Sequence, residues 1–146
     1  MSPMRVLIVE DEVMAQQSLA RSLRQEFSDM RIVGTAGSVR EAVDWLRTPG
    51  NTADVIFMDV ELSDGDCFEI FRQVEIAAHV IMTTAYDSYA VRAFEVNSID
   101  YLLKPIVPAA LRRAVERCRT SLEHLDASRL LDAIGRTHGY KQRYIV

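Results

Sequence analysis

The chain has 146 residues, 49% of them hydrophobic and 26% charged, which favours one domain with a real core. No apolar run approaches the roughly 20 residues that a membrane helix needs. The net charge of −4 is uneven: 9 Lys+Arg face 17 Asp+Glu through Val107 (net −8), and 8 face 4 beyond it (net +4). An acidic body with a basic tail argues against nucleic-acid binding by the body itself. The opening MSPMRVLIVEDE shows no charged leader before an apolar stretch. Cys67 and Cys118 lie in no metal-ligand spacing and read as packing residues. Together these features predict a cytoplasmic protein without a membrane partner.

In chain order, Arg5 to Val9 is a short β-branched run, read as a buried strand. Glu10, Asp11 and Glu12 follow it, and Glu12 reads as a helix-start acid. Ala15, Leu19, Leu23 and Phe27, four apart, predict a helix. Arg31 to Ala36 is a second strand. Ser38 and Glu41 fit a capping box that opens a helix through Trp45 and Leu46. Val55 to Asp59 is a third strand, closed by the turn signal Ser63-Asp64-Gly65, and Phe68 to Val74 a short helix. His79 to Thr83 is a fourth strand. Tyr86 to Val96 carries Tyr89, Ala90, Ala93 and Phe94 on one helical face. Tyr101 to Leu103 is a fifth strand, ended by Lys104-Pro105. From Pro108 a last helix buries Leu111, Ala114, Val115 and Cys118, with Leu122 and Leu125 extending the stripe. Leu130, Leu131 and Ile134 form a later apolar cluster, and YKQRYIV looks like the start of a strand.

Strands alternate with helices and are apolar without polar alternation, which predicts an α/β fold: a parallel sheet covered by helices on both faces. In such sheets ligands bind beyond the carboxyl ends of the strands. Those ends hold Glu10, Asp11 and Glu12, then Asp59, then Thr83, Thr84 and Ala85, then Lys104. Crowded carboxylates call for a cation, and hard oxygen donors suit Mg²⁺. A carboxylate beside such an ion can attack phosphorus, while a lysine and a hydroxyl hold phosphoryl oxygens. Of the nine cations up to Val107, eight are Arg and only Lys104 is Lys. A compact ammonium suits a single oxygen, where Arg would present a fork. His79, His124 and His138 form no ligand cluster in the sequence.

The segments VLIVEDE, VIFMDVELSDG, IMTTAYD and DYLLKPI, in that order, resemble a two-component response regulator receiver domain over about residues 4–125. The resemblance implies a three-layer, doubly wound (βα)5 flavodoxin-like fold with a five-stranded parallel sheet in the order 2-1-3-4-5. It implies that Asp59 accepts a phosphoryl group from a sensor histidine kinase. Glu10, Asp11, Asp59 and the Glu61 backbone carbonyl would hold Mg²⁺, or Mn²⁺ in its place. Lys104, Thr84 and the Ala85 backbone N–H would bind the phosphoryl group. Thr84 and Tyr101 would act as the switch pair, with Thr83 the competing hydroxyl. The Lys104-Pro105 bond is expected to be cis. A homodimer through the fourth helix, fifth strand and fifth helix is a further implication. Val91, Arg92, Glu95, Arg113 and Arg117 would then meet a partner.

TTAYDSYAVRAFEVNSIDYLLKPI is similar to the receivers of LytTR-type (LytR/AlgR) regulators. This implies a receiver over residues 1–125. Residues 126–146 would be a linker and the start of a C-terminal DNA-binding domain, through which alone DNA would be met. Two departures stand out. Glu10 replaces a frequent Asp, and Ser63 replaces a frequent Pro, leaving the loop after Asp59 less constrained. The short stretch from Asp59 to Thr84 predicts a small third helix. An Asp-nucleophile phosphohydrolase is disfavoured, because DVELS has Glu as its second acid and lies on the third strand. A stand-alone phosphorelay carrier is the main alternative, and a pseudo-receiver a further one. Beyond self-phosphorylation and self-dephosphorylation, no enzyme activity is expected.

Overall fold

In a computed structural model of the chain, the described residues are 3–85 and 100–120. The helix expected from Tyr86 to Val96, the extension through Leu122 and Leu125, and everything expected beyond them lie outside this range. So do Val91, Arg92 and Glu95.

The elements are β1 (Met4–Val9), α1 (Val13–Glu26), β2 (Met30–Ala36), α2 (Val39–Arg47) and β3 (Val55–Asp59). A small hairpin of β4 (Glu61–Leu62) and β5 (Gly65–Asp66) precedes α3 (Phe68–Gln73), β6 (His79–Thr84) and β7 (Asp100–Leu103). A final helix occupies 108–120. The main sheet has the order β2-β1-β3-β6-β7, and its neighbouring strands pair in parallel. With the hairpin set aside, this is the expected order 2-1-3-4-5.

Alternate residues of the central strands feed two cores. Val6, Ile8, Val55 and Phe57 pack with Leu19, Leu23, Leu111, Ala114, Val115 and Cys118 of α1 and the final helix. Leu7, Val9, Ile56 and Met58 pack with α2 and α3 on the other face. Covering both faces explains why these strands show no polar alternation. Cys67 and Cys118 are free and buried. Burial pushes the Cys118 thiol up to about 12, so it stays a packing group.

The hairpin is a finding that the sequence reading lacked, since it had only a turn at Ser63-Asp64-Gly65. Gly65 supplies the positive φ of +149° at that turn. A second irregularity lies in β2, where the register against β1 slips by one residue between Val6 and Leu7. Gly34 follows this slip. A Cβ there would lie 2.5 Å from the Trp45 indole nitrogen, so glycine lets α2 close onto β2.

The capping box at α2 forms with one change. Ser38 Oγ accepts from the Glu41 N–H at 3.0 Å, but the Glu41 carboxylate accepts from the Gly37 N–H (2.7 Å) rather than from Ser38. Glu12 does sit at the N-cap of α1, yet its side chain makes no capping hydrogen bond.

Long-range ion pairs fasten the layers. Arg5 binds Asp54 at the amino ends of β1 and β3 (3.1 Å). Arg119 binds Asp29 through both carboxylate oxygens (2.6 and 2.7 Å) and lies over the Phe27 ring. Arg117, expected at a partner face, is paired with Asp100 (2.9 Å), while Arg113 is exposed.

These contacts carry a pH signature. Hydrogen bonds from Arg119 hold the Asp29 carboxyl below the ordinary range. Burial works against the charge of Asp54, but the Arg5 side chain and N–H outweigh it and lower its pKa. For the unfolded chain the reference is about 3.9. A depressed folded pKa adds stability that is complete above that value and is lost as pH falls through the folded pKa. The unfolding temperature should therefore drop below about pH 4. Asp29→Asn should lower the neutral-pH plateau and make the acid limb shallower. A pH series of thermal melts checks this, and an unchanged acid limb would remove Asp29 from it.

Candidate functional site

The chain reverses direction across the sheet between β1 and β3, and the candidate residues gather at the carboxyl ends of the strands on either side of that switch point. Asp59 ends β3 and pairs in register with Thr83, while Thr84 pairs with Leu103, the residue before Lys104. Neighbouring strands thus bring acid, hydroxyl and lysine onto one edge.

Glu10 and Asp59 are buried, at 5% and 7% exposure, while Asp11 is exposed. Carboxylate oxygens of all three lie within 4.8 Å of one another. Lys104 Nζ donates to Glu10 Oε1 at 2.9 Å and to Asp59 Oδ2 at 3.0 Å. Asp59 Oδ1 accepts from the Glu61 N–H at 3.2 Å, and Glu10 Oε2 accepts from the Glu12 N–H at 3.2 Å. The longer arm of Glu10 thus takes up a backbone donor at the α1 start, which a shorter Asp would meet differently. Gln16 Nε2 donates to the Glu10 carbonyl at 2.6 Å. The sequence reading missed Gln16, which lies one helical turn into α1.

Burial works against the charge on Lys104, but its hydrogen bonds to Glu10 and Asp59 outweigh that and raise its pKa. Desolvation, followed by the adjoining Glu10 carboxylate, pushes the Asp11 carboxyl up. Three oxygen-donor acids therefore lie together, two of them bonded to the half-buried Lys104 ammonium. Such a donor set fits a hard divalent cation such as Mg²⁺, which is held by few carboxylates and keeps some of its waters.

Thr83 and Thr84 are both buried, and both belong to β6. Thr84 therefore ends the strand, where the sequence reading stopped at Thr83. Ala85 follows it and is exposed. The Thr84 carbonyl accepts from the Lys104 N–H at 2.7 Å, and the Lys104-Pro105 bond is cis. Tyr101 is half-buried against the α2–α3 core. His79, apart from the site, is kept less basic by its burial, against the pull of Asp100.

The Ser63 departure has a structural counterpart. Asp64, next to it, accepts from the Val39 N–H (2.7 Å) and the Arg40 N–H (3.1 Å) at the start of α2. Burial works against its charge, but these two donors lower its pKa.

The family model for the response regulator receiver domain matches residues 6–116. The sensory transduction protein LytT of Bacillus anthracis is 37% identical over 105 residues, 70% of this chain and 42% of that protein. The transcriptional regulatory protein BtsR of Escherichia coli K12 is 37% identical over 131 residues, 86% of this chain and 52% of that one. The chain therefore spans about half the length of these curated relatives. Among solved structures, the response regulatory domain of mrkE from Klebsiella pneumoniae superposes with a TM-score of 0.71 at 30% identity. It covers 83% of this chain and 99% of that one. The receiver domain of AraT from Geobacillus stearothermophilus gives 0.70 at 30% identity, covering 84% and 98%. The LytT and BtsR relatives agree with the LytTR-type likeness, and the chain belongs to the response regulator receiver domain family.

Proposed function

We propose that this receiver is a phosphorylation-controlled switch in which Asp59 takes a phosphoryl group from the phosphohistidine of a sensor kinase. The observation that carries the reading is the setting of Asp59. Its carboxylate ends a central strand, shares Lys104 with Glu10, and lies beside Asp11. An Asp59 oxygen bonds to phosphorus as the phosphorus–nitrogen bond breaks, and the electron pair leaves with the kinase imidazole. Glu10, Asp11, Asp59 and the Glu61 carbonyl would hold Mg²⁺, whose charge would offset that of the phosphoryl oxygens. Lys104 then turns from Glu10 to a phosphoryl oxygen, and Thr84 and the Ala85 N–H bind others. The proposal includes no turnover of a separate substrate.

Phosphorylation replaces the single negative charge of the Asp59 carboxylate with a phosphoryl group that carries about −1.5 to −2 in the phosphoester residues. Thr84 drawn toward that charge would leave room for Tyr101 to turn inward, changing the surface around β7 and the final helix. That face would pair with a second copy and control a C-terminal DNA-binding domain. Two observations support such a domain: the family match ends at 116, and the relatives are about twice the matched length. Residues 126–146 would be the linker and its beginning, and the whole protein would work in the cytoplasm. Among the described residues, no helix is long and apolar enough to cross a membrane.

Beryllofluoride with Mg²⁺ mimics the phosphoryl group and tests the switch. Amide NMR shifts should appear at Thr84, Ala85, Tyr101 and Leu103 as well as at the acids. Shifts confined to residues 10–12 and 59–61 would mean occupancy without switching, and would overturn the gating part.

A further inference from the structure

The β4–β5 hairpin begins two residues after Asp59 and is anchored twice at its base. The Glu61 N–H donates to Asp59 Oδ1, and the Cys67 N–H donates to the Val60 carbonyl (2.8 Å). Its ladder is only Glu61 with Asp66 and Leu62 with Gly65. A ladder this short does not hold its shape alone in water. The tip is held from outside: the Asp64 carboxylate straddles the Val39 and Arg40 N–H groups, 25 and 24 residues away in sequence. Ser38 Oγ takes the Glu41 N–H, and the Ser38 carbonyl takes the Ala42 N–H. Every donor of the first turn of α2 therefore has an acceptor, two of them on the hairpin. The positive end of the helix also favours the Asp64 charge.

We infer that Asp64 is a positioning residue: by pinning the hairpin tip to α2, it fixes the Glu61 backbone against Asp59. This rests on the metal-dependent reading, in which the Glu61 carbonyl is a ligand. With Ser63 in the loop, the hydrogen bonds from the Val39 and Arg40 N–H groups to Asp64 supply a constraint from outside it.

Ser38 makes the test discriminating, since its side chain caps the same helix by accepting from the Glu41 N–H, within α2 itself. Mg²⁺ binding to the full chain is measured by isothermal titration calorimetry, beside a thermal melt of each variant. Asp64→Ala should weaken Mg²⁺ binding about tenfold, the lower end of the range for groups that orient ligands. Asp64→Asn, which keeps one acceptor oxygen, should recover part of the loss. Ser38→Ala should lower the melting temperature comparably and leave the Mg²⁺ affinity near that of the wild type. Equal losses in Ser38→Ala and Asp64→Ala would reduce Asp64 to a helix cap. A folded Asp64→Ala or Asp64→Asn series with wild-type affinity would overturn the inference while leaving the metal site standing. A wild type that binds no Mg²⁺ would overturn both.

Discussion

Replacing Lys104 by methionine should cut phosphoryl uptake at Asp59 by about 10²-fold, the usual effect of removing one charge-stabilising donor. The same change should destabilise the metal-free protein. Glu10 and Asp59 are buried and share this one ammonium. Without it, two buried carboxylates and Asp11 face one another without the Lys104 ammonium between them. Removing one partner of a fully buried pair costs about 3–5 kcal/mol. The Lys104 side chain is 29% exposed, so solvent screening reduces this to about 1–3 kcal/mol. Mg²⁺ should then restore more stability to Lys104→Met than it adds to the wild type, because it enters an uncompensated acid cluster. Thermal melts with and without Mg²⁺ measure both effects. Equal Mg²⁺ gains in the two proteins would show that Lys104 does not neutralise the acids. Lys104→Arg should not rescue uptake, because a planar fork does not replace a point charge aimed at one oxygen.

Phe57→Ala should cost about 3–5 kcal/mol, since Phe57 is the largest fully buried side chain among the described residues. Phe57 is 1% exposed on the central strand β3 and packs with Val6, Ile8, Leu23 and Leu111. It therefore ties both α1 and the final helix to the strand that ends in Asp59. Little of the cavity can collapse, because strands flank β3 on both sides. Urea unfolding gives the number, and a loss under about 1 kcal/mol would contradict this packing. Under conditions where the variant is folded, Mg²⁺ binding should persist, since none of the acids is altered.

Most of the fold was legible because its signals are local and repeated. Five apolar runs gave the strands, and the four-residue spacing of Leu19 and Leu23 gave the buried side of α1, while Phe27 of the same stripe is its extended C-cap. The gathering of Glu10, Asp11, Asp59 and Lys104 was legible for a topological reason: parallel strands put all their carboxyl ends on one edge. What escaped depends on pairs distant in sequence or on elements too short for a period. A two-residue strand shows no alternation, so Glu61–Leu62 and Gly65–Asp66 read only as a turn. The Asp64 tether and the Arg119–Asp29 pair join residues 24 to 90 positions apart, and no spacing rule reaches them. Glu12 does stand at the start of α1 as expected, although its side chain caps nothing there. Its own N–H goes to Glu10. The glycine at position 34 gave no warning that an indole ring would need its space.

The most direct measurement is the intact mass of the protein after incubation with acetyl phosphate and Mg²⁺, beside Asp59→Asn and an EDTA-treated sample. A single phosphoryl adduct in the wild type, absent from both controls, is the expected result. Two results would contradict the central claim: an adduct that survives in Asp59→Asn, or a wild type that gains none and also fails to bind beryllofluoride.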